Sequence, residues 1–316
     1  MVKKRRIKKK AKVLIIIFII AIVALIIGIK QYKTYLYHQT YEYKLLKKNY
    51  NTDEVKVIKE KLNDDGINKL LDTDYIPKLV DFLKEKYFIY SNLDRYLAYY
   101  QKNPTKSLSE IVTLINVNRD SNYYENTTPT DTSKDTLMLV NKYNYLTEDY
   151  TPSNLVNVSS TYAYEGNVAR EDVLAAFIEM YNSAFNDNIT LILNSSYRSY
   201  NDQNETWTSR KKAFGTEKAD QYAARAGYSE HQTGLALDIN QFNTTEKDFE
   251  KTTAFTWLSN NAYKYGFILR YPEGKENITG YSYESWHYRY VGKDVAQKIT
   301  DEGITFDEYY AYYVAK

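Results

Sequence analysis

The chain has 316 residues, 43% of them hydrophobic, and a formal net charge of +2. That composition supports a packed core and excludes global disorder. The absence of Cys excludes disulfides, thiolate metal sites and a Cys nucleophile, so any metal must be held by His, Asp, Glu or water, and only His38, His231 and His287 supply imidazole.

The amino terminus concentrates the charge. Residues 1–12 carry Lys3, Lys4, Arg5, Arg6, Lys8, Lys9, Lys10 and Lys12 and no acid; without these eight the net charge of +2 becomes −6. A mildly acidic remainder gives no reason to expect nucleic acid as a partner. Val13 to Ile29 is an unbroken apolar run apart from Gly28, long enough to cross a hydrocarbon layer at 1.5 Å per residue. The basic flank predicts a cytoplasmic tail over 1–12 and a single membrane-spanning anchor over 13–29, with everything beyond it outside the cell. The Gly28-Ile29-Lys30-Gln31-Tyr32 sequence that follows is a poor cleavage site, which favours an anchor over a removed signal peptide.

Residues 30–117 read as a helical stalk or small module. Val55 to Leu62 and Ile76 to Lys84 have loose helical periods, with Pro77 near the second start. His38 lies in this stretch among tyrosines, as an isolated surface histidine. Tyr is abundant throughout, at 35, which fits AT-rich bacterial codon usage or an aromatic surface suited to sugars and peptides. Asn118 to Lys134 is rich in Asn, Asp, Ser and Thr and reads as a long loop or boundary, so a second domain is placed over 118–316 with its core at 136–291.

From Thr136 the pattern is α+β. Leu137-Met138-Leu139-Val140 is strand-like, and Arg170 to Asn182 is an amphipathic helix with Val173, Leu174, Phe177, Ile178 and Tyr181 at helical spacing. Strands are predicted at Ile189–Leu193, Leu235–Ile239 and Trp286–Val291. Between them come a charged helical stretch from Gln203 to Ala226 and a helix from Phe255 to Tyr265 ended by Gly266. Two short helices close the chain.

Three segments concentrate reactive residue types: Ser195-Ser196-Tyr197-Arg198-Ser199, Ser229-Glu230-His231-Gln232-Thr233-Gly234-Leu235-Ala236-Leu237-Asp238, and Glu284-Ser285-Trp286-His287. His231 and Asp238 are seven apart and would oppose each other on one straight strand, so a turn at Gly234 is needed to bring them together. Leu235, Leu237 and Ile239 then point to the core while Ala236 and Asp238 point away. An Asp on such a strand is costly unless compensated, and a divalent cation compensates it. His287 opens the last strand; Glu284 must sit on a bend before it to share its site. Taken singly, each residue has an ordinary structural explanation, a hydrogen-bonded His or a salt-bridged Arg. Jointly, two imidazoles and one carboxylate make a three-ligand zinc site with an open fourth position. A carboxylate outside the ligand set can move the proton of an attacking water, and an Arg can stabilise the oxyanion.

These segments resemble the zinc D-alanyl-D-alanine carboxypeptidases of the VanY type, related to the VanX dipeptidases. That family's Ser-x-His-x-x-Gly-x-Ala-x-Asp and Glu-x-x-His elements are matched at Ser229, His231, Gly234, Ala236, Asp238, Glu284 and His287, and its Tyr-Arg-Ser element at Tyr197-Arg198-Ser199, with Gln203 following. The resemblance covers about Thr136 to Tyr290. It implies one Zn²⁺ on His231, Asp238 and His287, with Glu284 as base, Arg198 as oxyanion stabiliser, and Gln203 and Ser229 touching substrate. It implies the hedgehog/DD-peptidase α+β fold, an antiparallel sheet with packed helices carrying the metal on one face. It also implies peptidoglycan stem peptides as substrate, losing their C-terminal D-alanine outside the bacterial membrane. Trimming of the tetrapeptide by L,D-carboxypeptidase action uses the same constellation and stays open. A non-catalytic, zinc-stabilised wall-binding ectodomain is the alternative of another kind, and such a module has no need of Glu284.

Overall fold

The structure is a computed structural model and describes residues 9–315. Of the predicted basic tail, the first eight residues lie outside the described part. The contacts divide the chain into two compact units, Met1–Leu93 and Asp94–Lys316, so the boundary read from composition at 117/118 falls inside the second unit.

The first unit opens with helix α1, Lys9–Gln39, 31 residues long with no buried side chain. At 1.5 Å per residue it is about 46 Å long. Its most apolar 18-residue window has a mean hydropathy of 3.3, so it is long and apolar enough to cross a membrane. Four short helices follow: Tyr41–Lys47, Thr52–Lys61, Asp64–Leu71 and Leu79–Leu83. Side-chain caps start three of them. Thr40 accepts from the Tyr43 amide, Asn51 forms a capping box with Glu54, and Asn63 accepts from the Gly66 amide. They bury Leu45, Ile58, Leu70, Leu79 and Phe82 completely. The last helix starts later than its sequence period suggests because Lys78, just after Pro77, has φ 69° and cannot join a right-handed turn.

The second unit is built on one four-stranded antiparallel sheet. Its strands are β1 (Leu191–Ser195), β2 (Ala236–Gln241), β3 (Phe267–Leu269) and β4 (His287–Tyr290), in the order β1-β2-β4-β3. Alternation gives the sheet two faces. Leu191, Leu193, Leu237, Ile239, Phe267 and Tyr288 lie on one face, in a core with Val173, Phe177 and Met180 of helix α2 (Glu171–Asn186) and Leu258 of helix α5 (Thr253–Asn261). Between β1 and β2 run helices α3 (Tyr200–Phe214) and α4 (Thr216–Tyr222), broken at Gly215. Helix α6 (Lys293–Glu302) and the terminal turn Phe306–Tyr309 cover part of the other face, where Ile268, Val291, Ile299 and Phe306 form a smaller cluster.

One predicted strand does not form. Leu137 closes a 3₁₀ turn, and the residues after it up to Val140 join no ladder. Side chains take up its backbone instead. Arg289 Nη2 donates to the carbonyls of Thr136 and Met138 at 3.0 and 2.8 Å, and Thr130 Oγ1 donates to that of Leu139 at 2.8 Å. Met138, Leu139 and Val140 are nonetheless buried, so an apolar run marked a core segment without marking its hydrogen-bonding mode.

Candidate active site

Strand register sets the centre of the site. Asp238 of β2 is paired directly with His287 of β4, so both side chains leave the sheet on the same face. His231 arrives from a 3₁₀ turn, Glu230–Thr233, capped by Ser229. Gly234 then reverses the chain with φ 68°, and a Cβ at this position would lie 2.9 Å from Arg170 Cγ. That close approach and the left-handed backbone together require glycine. The turn brings His231 Nε2 to 3.4 Å from Asp238 Oδ2, while His287 Nδ1 lies 3.0 Å from Asp238 Oδ1. Glu284 sits on the bend before β4, where the His287 amide meets its carbonyl, and its Oε2 is 3.7 Å from His287 Nδ1.

A bulge in β1 supplies the remaining wall. Leu193 pairs with Ile239, yet Ser195 pairs with Asp238. The extra residue, Asn194, turns Ser195 onto the site face. Ser195 Oγ accepts from Arg198 Nη2 at 2.9 Å, and Gln203 Oε1 accepts from Arg198 Nη1 at 2.8 Å. The Ser196 carbonyl accepts from His231 Nδ1 at 2.6 Å, which orients that ring with Nε2 toward Asp238.

All seven residues singled out from the sequence line one cleft: Arg198, Gln203, Ser229, His231, Asp238, Glu284 and His287. His38 does not join them; it stacks on Tyr43 at 4.0 Å in the first unit. Gln203 is almost fully enclosed, with its Nε2 donating to the Ala224 carbonyl at 2.7 Å, so both ends of its amide are engaged within the protein. Ser229 Oγ accepts weakly from the His231 amide at 3.4 Å.

Sequence reading passed over the residues behind this centre. Glu230 is fully buried beside Arg270 (Nε to Oε1, 2.8 Å) and Arg289 (Nη1 to Oε1, 3.0 Å). Arg270 Nη1 also contacts Asp307 Oδ2 at 2.6 Å. Tyr271 packs its ring 4.9 Å from that of His287. The signal available in the sequence was Glu230's place between the cap Ser229 and His231; the arginines that neutralise it come from β4 and from the residue just after β3, and leave no local pattern.

The ionisation states follow from this packing. Burial opposes charge on Asp238, but His231 and His287 hold its carboxyl well below the usual range. Burial likewise opposes charge on Glu230, and Arg270 and Arg289 keep it strongly acidic. Burial pushes His231 down, with Arg198 adding to the effect against the pull of Asp238. For His287 burial also acts downward, yet contacts with Asp238 and Glu230 prevail and raise it to about 9.

The donor set fits a metal ion. His231, Asp238 and His287 are buried, and each presents one ligand atom within 4.8 Å of the others; among the described residues they are the one such group of three. Ligand atoms around a tetrahedral zinc at about 2.0–2.2 Å are roughly 3.3–3.6 Å apart, close to the 3.0 and 3.4 Å seen from Asp238 to the two rings.

The family model VanY, D-alanyl-D-alanine carboxypeptidase, matches residues 166–293. The chain is 41% identical over 182 residues to YodJ of Bacillus subtilis (strain 168), a match spanning 55% of this chain and 66% of YodJ, just under two thirds of its length. It is 31% identical over 242 residues to the D-alanyl-D-alanine carboxypeptidase of Enterococcus faecium, spanning 73% of this chain and 74% of that one. The solved LD-carboxypeptidase LdcB superposes with a TM-score of 0.56 at 37% identity, covering 60% of this chain and 91% of LdcB.

Proposed function

The chain belongs to the VanY-type D-alanyl-D-alanine carboxypeptidases, a family of zinc metallopeptidases, and from that premise we propose that it hydrolyses the C-terminal D-alanine from peptidoglycan stem peptides. The observation that carries the reading is the pairing of Asp238 with His287 across β2 and β4, with His231 at 3.4 Å and Glu284 at 3.7 Å from that pair. His231 would hold zinc through Nε2, His287 through Nδ1 and Asp238 through its carboxylate. When bound, zinc supplies an activated water at neutral pH and polarises the scissile carbonyl. Glu284 takes the proton of the attacking water and delivers it to the leaving amine of D-alanine. Arg198, held by Ser195 and Gln203, meets the negative charge that develops on the carbonyl oxygen. Gln203 and Ser229 line the cleft and would meet the substrate there, Gln203 chiefly by holding Arg198.

Helix α1 would span the cell membrane once, with the amino terminus cytoplasmic and the catalytic unit outside, where the wall lies. Residues 30–93 would serve as a spacer and the catalytic domain would lie within 94–316.

A second reading, L,D-carboxypeptidase action on the tetrapeptide, is favoured by the likeness to LdcB. One experiment addresses both. The full-length protein, purified in detergent with zinc, is given defined tri-, tetra- and pentapeptide muropeptides, and the products are weighed by mass spectrometry. D-alanine released from the pentapeptide supports the D,D reading; release from the tetrapeptide alone supports the L,D reading; release from neither ends the carboxypeptidase assignment. Glu284→Gln should keep zinc while losing most turnover, and loss of zinc in that variant would instead make Glu284 a ligand.

A further inference from the structure

The two histidines face the centre with opposite nitrogens. His231 turns Nε2 inward, and its Nδ1 is satisfied by the Ser196 carbonyl at 2.6 Å. His287 turns Nδ1 inward, toward Asp238 at 3.0 Å and Glu284 at 3.7 Å. Its Nε2 points the other way and lies 3.7 Å from Glu230 Oε2. Both of these atoms are fully buried and neither makes a hydrogen bond. A buried donor position facing a buried acceptor without a hydrogen bond between them is costly for both, and closing the gap to hydrogen-bond length takes a shift of about 0.5–1 Å.

Glu230 has little freedom to leave this position. Its other oxygen, Oε1, accepts from Arg270 Nε at 2.8 Å and faces Arg289 Nη1 at 3.0 Å. Arg270 donates from Nη1 to Asp307 Oδ2 at 2.6 Å, and Asp307 Oδ1 accepts from Asn141 Nδ2 at 2.8 Å. The whole chain of groups is buried. A histidine nitrogen that ligates a metal must be bare, and the other nitrogen then carries the proton and needs an acceptor behind it.

We propose that Glu230 is a positioning residue: it accepts the Nε2–H of neutral His287, fixing the tautomer that presents Nδ1 to the metal, while Arg270 and Asp307 hold the carboxylate in place. The inference rests on the metal assignment above and not on the identity of the substrate. It makes Asp307, near the chain terminus, part of the support of the metal centre. Were Glu230 merely a counter-charge for two arginines, its removal would lower stability and leave the metal affinity of the folded protein unchanged.

The test uses the full-length protein in detergent, and its readouts do not depend on activity. Zinc affinity is measured by chelator competition for the wild type, Glu230→Gln and Asp307→Asn, with melting of the metal-free forms to establish folding. Glu230→Gln should weaken zinc about 10–100-fold, and Asp307→Asn several-fold. In the zinc-loaded wild type, ¹⁵N-histidine NMR should show a slowly exchanging Nε2–H on His287 and an Nδ1–H on His231. Folded variants that bind zinc within twofold of wild type overturn the proposal. So does a proton on Nδ1 of His287, or an Nε2–H that exchanges freely with solvent. If either variant fails to fold, the wild-type spectrum decides. A wild type that binds no zinc removes the metal assignment and this inference with it, whereas failure to release D-alanine with zinc bound leaves these measurements standing.

Discussion

The two faces of the central sheet are made from alternate residues of the same strands and are both largely buried, yet they are stabilised in opposite ways. Leu237 and Arg289 are both completely buried. Leu237 and its neighbours Leu193, Ile239 and Phe267 sit against α2 and α5, where each buried side chain contributes roughly 1.5–3 kcal/mol by leaving water. Across the sheet, Asp238, His287 and Arg289 gain nothing from leaving water. They persist because opposite charges meet them: His287 and His231 lie 3.0 and 3.4 Å from Asp238, and Glu230 lies 3.0 Å from Arg289 and is itself held by Arg270. Buried ion networks of this kind add little net stability but fail badly when one member is lost. Burial therefore does not separate structural from functional residues here; the means of compensation does.

The largest expected effect tests the polar face at its centre. Asp238→Ala should abolish stoichiometric zinc binding and lower kcat/KM at least ~10⁴-fold, about 5.5 kcal/mol of lost transition-state stabilisation. Zinc content by elemental analysis and turnover on a pentapeptide substrate check this, and retained zinc would break the assignment. The apolar face should respond in the other currency. Phe177→Ala should cost about 3–5 kcal/mol of unfolding free energy while leaving kcat/KM per folded molecule unchanged, as read from denaturant melts and active-site titration with zinc. A selective loss of activity there would mean the faces are coupled.

Arg198→Met belongs to the polar face but outside the metal set. It should lower kcat by about 10²–10³-fold with zinc content unchanged. A loss confined to KM would assign Arg198 to ground-state binding.

The smallest effect concerns a buried charge with weak compensation. Lys142 is almost fully enclosed, with Tyr123 and Tyr281 rings at 4.3 and 4.4 Å and the Asp220 carbonyl as acceptor. Burial lowers its pKa to about 8, from 10.5 when unfolded. Below pH 8 both states are charged and the burial penalty is felt in full. Between pH 8 and 10.5 the unfolded chain binds more protons, so Lys142 makes stability rise with pH. The stability difference between wild type and Lys142→Met should therefore grow in the wild type's favour by ~1–3 kcal/mol across that window, measured by urea melts. A flat difference would show that the aromatic rings compensate Lys142 as fully as the arginines compensate Glu230.

Much of this was legible in the chain itself, for physical reasons that differ from residue to residue. The predicted helix at Arg170–Asn182 forms as Glu171–Asn186 because its apolar stripe is local and periodic. The strand at Leu235–Ile239 forms as Ala236–Gln241, with Asp238 on the face opposite Leu237 as alternation requires. The bend predicted before His287 exists, and Glu284 lies on it. Leu137–Val140 was misjudged as a strand because its hydrogen-bond partners, Arg289 and Thr130, were not local.

By itself the sequence determined the apolar span, the sides of the strands, the glycine turn and the grouping of Arg198, His231, Asp238, Glu284 and His287, through chain-local periodicity, backbone geometry and spacing, whereas Gln203 and Ser229 were implied by the family resemblance. Only the tertiary structure decided which nitrogen of each histidine faces the centre, that a bulge at Asn194 turns Ser195 toward Arg198, and that Glu230 is anchored through Arg270 to Asp307. Those outcomes depend on register between strands distant in sequence and on charges that can be buried only when they meet.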